Sequence, residues 1–130
     1  MMIEIETRSG TPIFRQVLDQ IRRQILSGQL REGEQLTSVR ELSGKLGVNP
    51  MTVSKAYSIL EMEGLICRKR GLGLFVSALE EKRSKDSKQA ILSELIRKLV
   101  LTAVQLGLSE KDVSSKLHDD FQTFSTKKEK

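Results

Sequence analysis

Very little of this chain is suited to covalent chemistry. Its 130 residues include one cysteine, Cys67, and one histidine, His118. A lone cysteine excludes an internal disulfide and any CxxC metal or redox pair. Following Leu65 and Ile66, Cys67 reads as a small buried strand residue rather than a redox sensor. His118 lies in LHDDF beside Asp119 and Asp120. Neighbouring residues leave a helix in different directions and a metal needs more converging ligands, so this segment reads as a solvated helix face. No nucleophile–base–acid set occurs. Gly71-Leu72-Gly73 lacks the third glycine and the βαβ setting of a dinucleotide loop. The expectation is a protein without enzymatic activity, cofactor or metal.

Long hydrophobic runs are also missing. The longest, near Leu99 to Leu108, is too short and too interrupted to span a bilayer. The opening MMIEIETRSG is polar and acidic where a secretory leader is basic and then apolar. Both features point to a cytoplasmic, reduced protein with no membrane partner. Aromatic residues make up only 4% of the chain, too few for a face that stacks on single-stranded nucleic acid.

What is present is positive charge and helical periodicity. The formal charge is +5 and the isoelectric point about 9.5, a lean toward a polyanionic partner. Hydrophobic residues at 38% are enough for a modest core without metal or disulfides.

Met1 to Gly10 alternates Ile3 and Ile5 with Glu4 and Glu6, as a short strand or ordered arm. Thr11 as cap and Pro12 at the first position open a helix whose Phe14, Val17, Leu18, Ile21 and Ile25 repeat at three and four. Gly28 closes it, and Leu30 and Leu36 anchor the turn that follows. Ser38 and Glu41 match a capping box for a short helix with Val39, Leu42 and Leu46 on its buried stripe, ended by Gly47. Asn49 and Pro50 start the next helix, with Val53, Ala56 or Tyr57, and Leu60 inward, and Gly64 ends it. Two short helices around a tight turn are the helix-turn-helix arrangement. Leu65 to Arg68 and Leu74 to Val76 read as paired strands around Lys69-Arg70-Gly71-Leu72-Gly73.

The chain then changes character. Residues 78–88 are a charged linker or the solvated start of a helix. After them Ile91, Leu95, Leu99, Ala103 and Leu106 line one helical face, and Leu92, Ile96, Val100 and Val104 an adjacent one. Gly107 closes this helix. Ser109 and Asp112 cap a last one, with Val113, Leu117 and Phe121 on its seam. That apolar surface is wider than one partner helix covers, so residues 89–124 read as a two-helix homodimerisation segment and 125–130 as a flexible tail.

The fold class is therefore mainly α with a small β wing. A winged helix-turn-helix over residues 1–77 is followed by a short helical dimerisation segment. The outward face of the second short helix suits a DNA major groove. Thr52 and Lys55 can meet base edges or phosphate, Ser54 phosphate, and Asn49 brings an amide to a helix start. Pro50 and Met51 complete that end, and Ser38 and Arg40 lie on the preceding helix. Arg68, Lys69 and Arg70, next to Gly71 and Gly73, form a basic wing for phosphates or a minor groove. The alternative is a winged helix whose same face binds protein instead of DNA.

Three motifs in order carry a resemblance: LTSVRELS, NPMTVSKAYSILEMEGLI and GLGLFV. The stretch from Thr11 to Ser77 resembles the DNA-binding domain of the GntR family of bacterial transcription regulators. The NPxTVxKAY form and short helical tail look like the YtrA subfamily of small repressors, often encoded with ABC-transporter genes. The resemblance implies that Arg40 contacts DNA, that Asn49 to Lys55 read the major groove and that Gly73 approaches the minor groove. It departs from the family at Thr37, where proline is usual, at Leu74, usually small and polar, and at Pro50 and Met51. Most relatives carry a larger effector-binding domain. The residues after this wing leave little room for a pocket of a few hundred Å3, and an effector would have to use the groove between the carboxy-terminal helices.

Overall fold

Gln16, Gln20 and Gln24 recur every fourth residue, and their amides fasten the start of the chain. A computed structural model of the protein describes residues 1–128. Its elements are α1 (Ile13–Leu26), α2 (Val39–Leu46), α3 (Pro50–Met62), β1 (Ile66–Lys69), β2 (Gly73–Val76), α4 (Glu81–Gln105) and α5 (Glu110–Lys128). Two compact units divide the chain, Met1–Ser87 and the residues from Lys88 onward.

In the first unit the amino-terminal arm is ordered but is not a strand. Gln20 accepts from Glu4 N–H at 2.9 Å and donates to Glu4 C=O at 2.6 Å. Gln16 makes the same pair of bonds to Glu6, at 2.8 and 3.0 Å. Gln24 donates to Met2 C=O at 2.7 Å, while its buried Oε1 has no partner among the described residues. A helix rises about 6 Å in four residues and an extended chain about 6.6 Å in two, so the rungs stay in step.

Thr11 does not cap α1. Its N–H is held by Ser9 Oγ at 3.1 Å and its C=O by Gln16 Nε2 at 2.9 Å, which leaves Pro12 at the cap position. α1 packs on α3 and α3 on β1, and Val17, Leu18 and Ile21 of α1, Val53, Ala56 and Leu60 of α3, and Leu65, Ile66 and Val76 are all buried in the core. Leu30 and Leu36 are buried as the anchors of the intervening turn. Cys67 is half-buried rather than buried, because it pairs with Phe75 on the outer face of the ribbon.

The capping box of α2 forms by half. Ser38 Oγ accepts from Glu41 N–H at 3.1 Å, but the Glu41 carboxylate turns along the helix to Lys45 at 3.5 Å. Gly47 then adopts φ +67°, a left-handed angle that a Cβ would strain, and the chain reverses into α3. Asn49 Oδ1 caps α3 by accepting from Met51 N–H at 2.8 Å, with Pro50 in the first turn. Strands β1 and β2 pair antiparallel from Ile66 opposite Val76 to Lys69 opposite Gly73.

α4 begins at Glu81, so most of the charged stretch is helix rather than linker. Arg83 in its first turns donates to the Glu63 carbonyl at the end of α3 and lies against Gly64. Glu63 also receives Arg22 of α1, with Nε at 3.1 Å from Oε2.

In the second unit Ala103 is the one buried hydrophobic among the described residues. Ile91 and Val113 are half-buried. Leu92, Leu95, Ile96, Leu99, Val100, Leu106, Leu117 and Phe121 remain exposed. The α5 capping box is reciprocal: Asp112 N–H reaches Ser109 Oγ at 3.1 Å and Ser109 N–H reaches Asp112 Oδ2 at 2.9 Å. These bonds to the charged form hold the Asp112 carboxyl below its ordinary pKa. α5 runs to Lys128, into the stretch expected as a tail; residues 129 and 130 lie outside the described residues. No helix among the described residues is long and apolar enough to cross a membrane.

Candidate nucleic-acid interface

α2 and α3 pack on each other around Gly47, and α3 packs on α1 along its inward face. That geometry leaves Met51, Ser54, Lys55 and Ser58 exposed and Thr52 half-buried. Met51 is 77% exposed, an unusual position for a large apolar side chain beside polar residues. An open depression of about 650 Å3 lies between the start of α1 and this face of α3, lined by Ile13, Phe14, Met51, Thr52, Ser54, Lys55 and Ser58.

The cap residues have mixed availability. The Ser38 hydroxyl and the Asn49 side-chain carbonyl are both occupied by backbone N–H groups. Asn49 keeps its amide donors, and Pro50 in the first turn has no N–H to offer. Arg40 projects from α2 into solvent with no ion-pair partner among the described residues, although its carbonyl accepts from Ser43 Oγ at 3.0 Å. An unpaired guanidinium on an exposed helix is a ready phosphate or guanine ligand.

The wing is built so that its tip is fixed. Gly71 and Gly73 adopt φ +77° and +123°. Gln35, bridged to Phe75 on the outer edge of β2, sends its Nε2 to the Leu72 carbonyl at 2.7 Å. A Cβ on Gly73 would lie 2.7 Å from that nitrogen, so the clamp requires glycine there. Leu72 stands at the tip, 66% exposed. Arg70 is free of ion pairs among the described residues, and Arg68 faces Glu61 at 3.7 Å.

The sequence reading found no aromatic on the recognition or wing face. The structure places one beneath each. Lys55 Nζ sits 3.9 Å from the Phe14 ring centroid, and Lys69 Nζ 4.7 Å from that of Phe75. Phe14, Gln35 and Leu72 were missed as members of this surface. Phe14 lies far from α3 in sequence and Gln35 far from the wing it clamps, and only Leu72, between the wing glycines, was marked by position.

Residues 14–76 match the profile of the bacterial regulatory proteins of the gntR family. The chain is 37% identical to the HTH-type transcriptional repressor YtrA of Bacillus subtilis (strain 168), an alignment that covers 91% of this chain and 88% of that one. The protein belongs to the GntR family. It is therefore a transcriptional regulator with an amino-terminal winged-helix DNA-binding domain, as GntR-family architecture requires, and its relative YtrA is of similar length. Among solved structures it is similar to a protein called a transcriptional antiterminator from Listeria monocytogenes EGD-e, at 36% identity and a TM-score of 0.75 over 94% of this chain and 90% of that one. It is also similar to the DNA-binding domain of AraR in complex with operator ORX1, at 25% identity and a TM-score of 0.52, covering 59% of this chain and 96% of that domain.

Proposed function

We propose that the protein is a homodimeric transcriptional repressor that binds a palindromic operator. The observation that carries the DNA-binding half is Arg40 on α2, without an ion pair among the described residues, with the exposed Met51, Ser54 and Lys55 of α3 and a clamped basic wing, all in one compact unit. The AraR domain, bound to an operator in its solved complex, has a related fold, and YtrA is named a repressor. In this reading α3 enters the major groove, Arg40 grips the edge of the same groove, and the wing follows phosphates toward the minor groove.

Homodimerisation is supported by the second unit. Leu95, Leu99 and Phe121 are 48%, 44% and 64% exposed there, and a large apolar patch left in water is rare on a monomer. The occupant is a second copy, because two identical apolar surfaces meet in a symmetric pair and symmetric regulators read paired half-sites. Half-sites then lie about one helical turn apart, roughly 10 bp, or a multiple of it. Control of a transporter operon is the further expectation, by the likeness to the YtrA subfamily.

Genome-wide footprinting of the tagged protein, followed by gel shifts on the recovered promoters, tests the reading. The expected result is a palindromic site near the protein's own operon, with affinity falling steeply with salt. A chain that sediments as a monomer at micromolar concentration, or recovers only proteins and no DNA, overturns it.

A further inference from the structure

Three lysines away from the proposed DNA surface lean on carboxylates. Lys45 pairs with Glu41 at 3.5 Å, Lys98 with Glu94 at 3.6 Å and Lys116 with Asp120 at 2.7 Å. Lys55 of the recognition helix and Lys69 of the wing instead rest on the rings of Phe14 and Phe75, at 3.9 and 4.7 Å. Arg68, facing Glu61, is the exception on that surface.

The difference has a physical consequence. A lysine loses much rotamer freedom when it docks on a ligand. A carboxylate partner restrains it beforehand but cancels the charge that a phosphate needs. An aromatic face restrains it through the ring quadrupole and adds no net charge. The ammonium also keeps donors pointing away from the ring, free for a phosphate oxygen or a guanine edge. Phe14 is half-buried in the first turn of α1 and Phe75 half-buried in β2, so each ring is itself held by the fold.

We propose that Phe14 and Phe75 are positioning residues for DNA recognition, which hold Lys55 and Lys69 in place for the duplex without neutralising them. This rests on the operator-binding reading above. The rings touch no DNA in this account; they act through the lysines.

The test uses full-length protein, the operator recovered by footprinting, and a double-mutant cycle. Phe14→Leu, which keeps the apolar volume, is expected to weaken operator binding about two- to fivefold. The slope of log affinity against log salt should stay unchanged, because Lys55 is still present. Lys55→Ala should lower that slope by about one. In the Lys55→Ala background, Phe14→Leu should have no further effect. With Lys55 present, Phe14→Tyr should retain wild-type affinity. Phe75→Leu and Lys69→Ala form the second cycle, with the same pattern expected. Melting curves of each variant identify any loss of fold. If Phe14→Leu and Phe75→Leu weaken binding as much without their lysines as with them, the rings are structural only and the proposal fails while operator binding stands. If the wild-type chain shifts no DNA, both fail together.

Discussion

The Tyr57 hydroxyl of α3 donates a 2.6 Å hydrogen bond to the carbonyl of Thr37, the residue just before the Ser38 cap of α2. One buried phenol thus ties the recognition helix to the start of its partner. It does so at a position where GntR relatives usually carry proline. Burial raises the Tyr57 pKa, because the anion would lose its hydration.

Tyr57→Phe is expected to destabilise the first unit by about 1 to 2 kcal/mol, since it leaves a carbonyl without its donor. The pH dependence follows from the raised value. The folded pKa lies above the ordinary tyrosine pKa near 10, so the contribution is complete below pH 10 and declines as pH rises toward the folded value. The difference in melting temperature between wild type and Tyr57→Phe should therefore shrink above about pH 10.

Arg40 and Arg70 are both exposed and both without ion pairs among the described residues, but they are expected to act differently. Arg40→Ala should cost about 1 to 3 kcal/mol of operator binding and relax the base preference at one position, with an unchanged melting temperature. Arg70→Ala should weaken binding to all sequences alike and reduce the salt slope by about one. Titrations at several salt concentrations on operator and scrambled duplexes separate the two; unchanged affinity for Arg40→Ala removes it from the interface.

Gly73 and Gln35 form a linked pair. Gly73→Ala forces a Cβ against Gln35 Nε2 and places an L-residue at φ +123°, with an expected cost of about 1 to 2 kcal/mol. Gln35→Ala alone should loosen the wing tip and weaken DNA binding with little change in melting. Combining the two should relieve the contact but not the backbone strain, so the double variant should not regain the wild-type melting temperature.

Leu99 lies 44% exposed on α4. Leu99→Asp should leave the winged helix folded but convert the proposed dimer to a monomer in sedimentation. Operator affinity should drop at least about a hundredfold, because the second half-site no longer binds at high effective concentration. A dimer that survives this substitution would place the interface elsewhere.

Much of the fold was legible because helix boundaries follow local grammar. Ser38 and Asn49 accept from the first-turn amides as their side-chain chemistry dictates, and Ser109 with Asp112 completes both arms of its box. Glu41 does not, because a lysine one turn later competes for the same carboxylate, and spacing cannot say which wins. Pro12 was displaced by one position for a similar reason. The bond from Gln16 to the Thr11 carbonyl holds the chain outside the helix, and a glutamine on a helix flank carries no sign of such a role. The outward polar residues of α3, Ser54, Lys55 and Ser58, could be named from helical phase alone. The rings under Lys55 and Lys69 could not, since each contact joins elements that only the tertiary fold brings together.

The glutamine ladder on α1 grips the arm through main-chain atoms at Met2, Glu4 and Glu6. Its tolerance is therefore lopsided. Composition at Glu4 is free to drift, since its side chain takes no part in the rung, but the count of residues is not. Inserting or deleting one residue among the first six would slip the rungs out of phase and turn Ile3 and Ile5 to the opposite side. Across homologous genes, the arm should vary in spelling far more readily than in length.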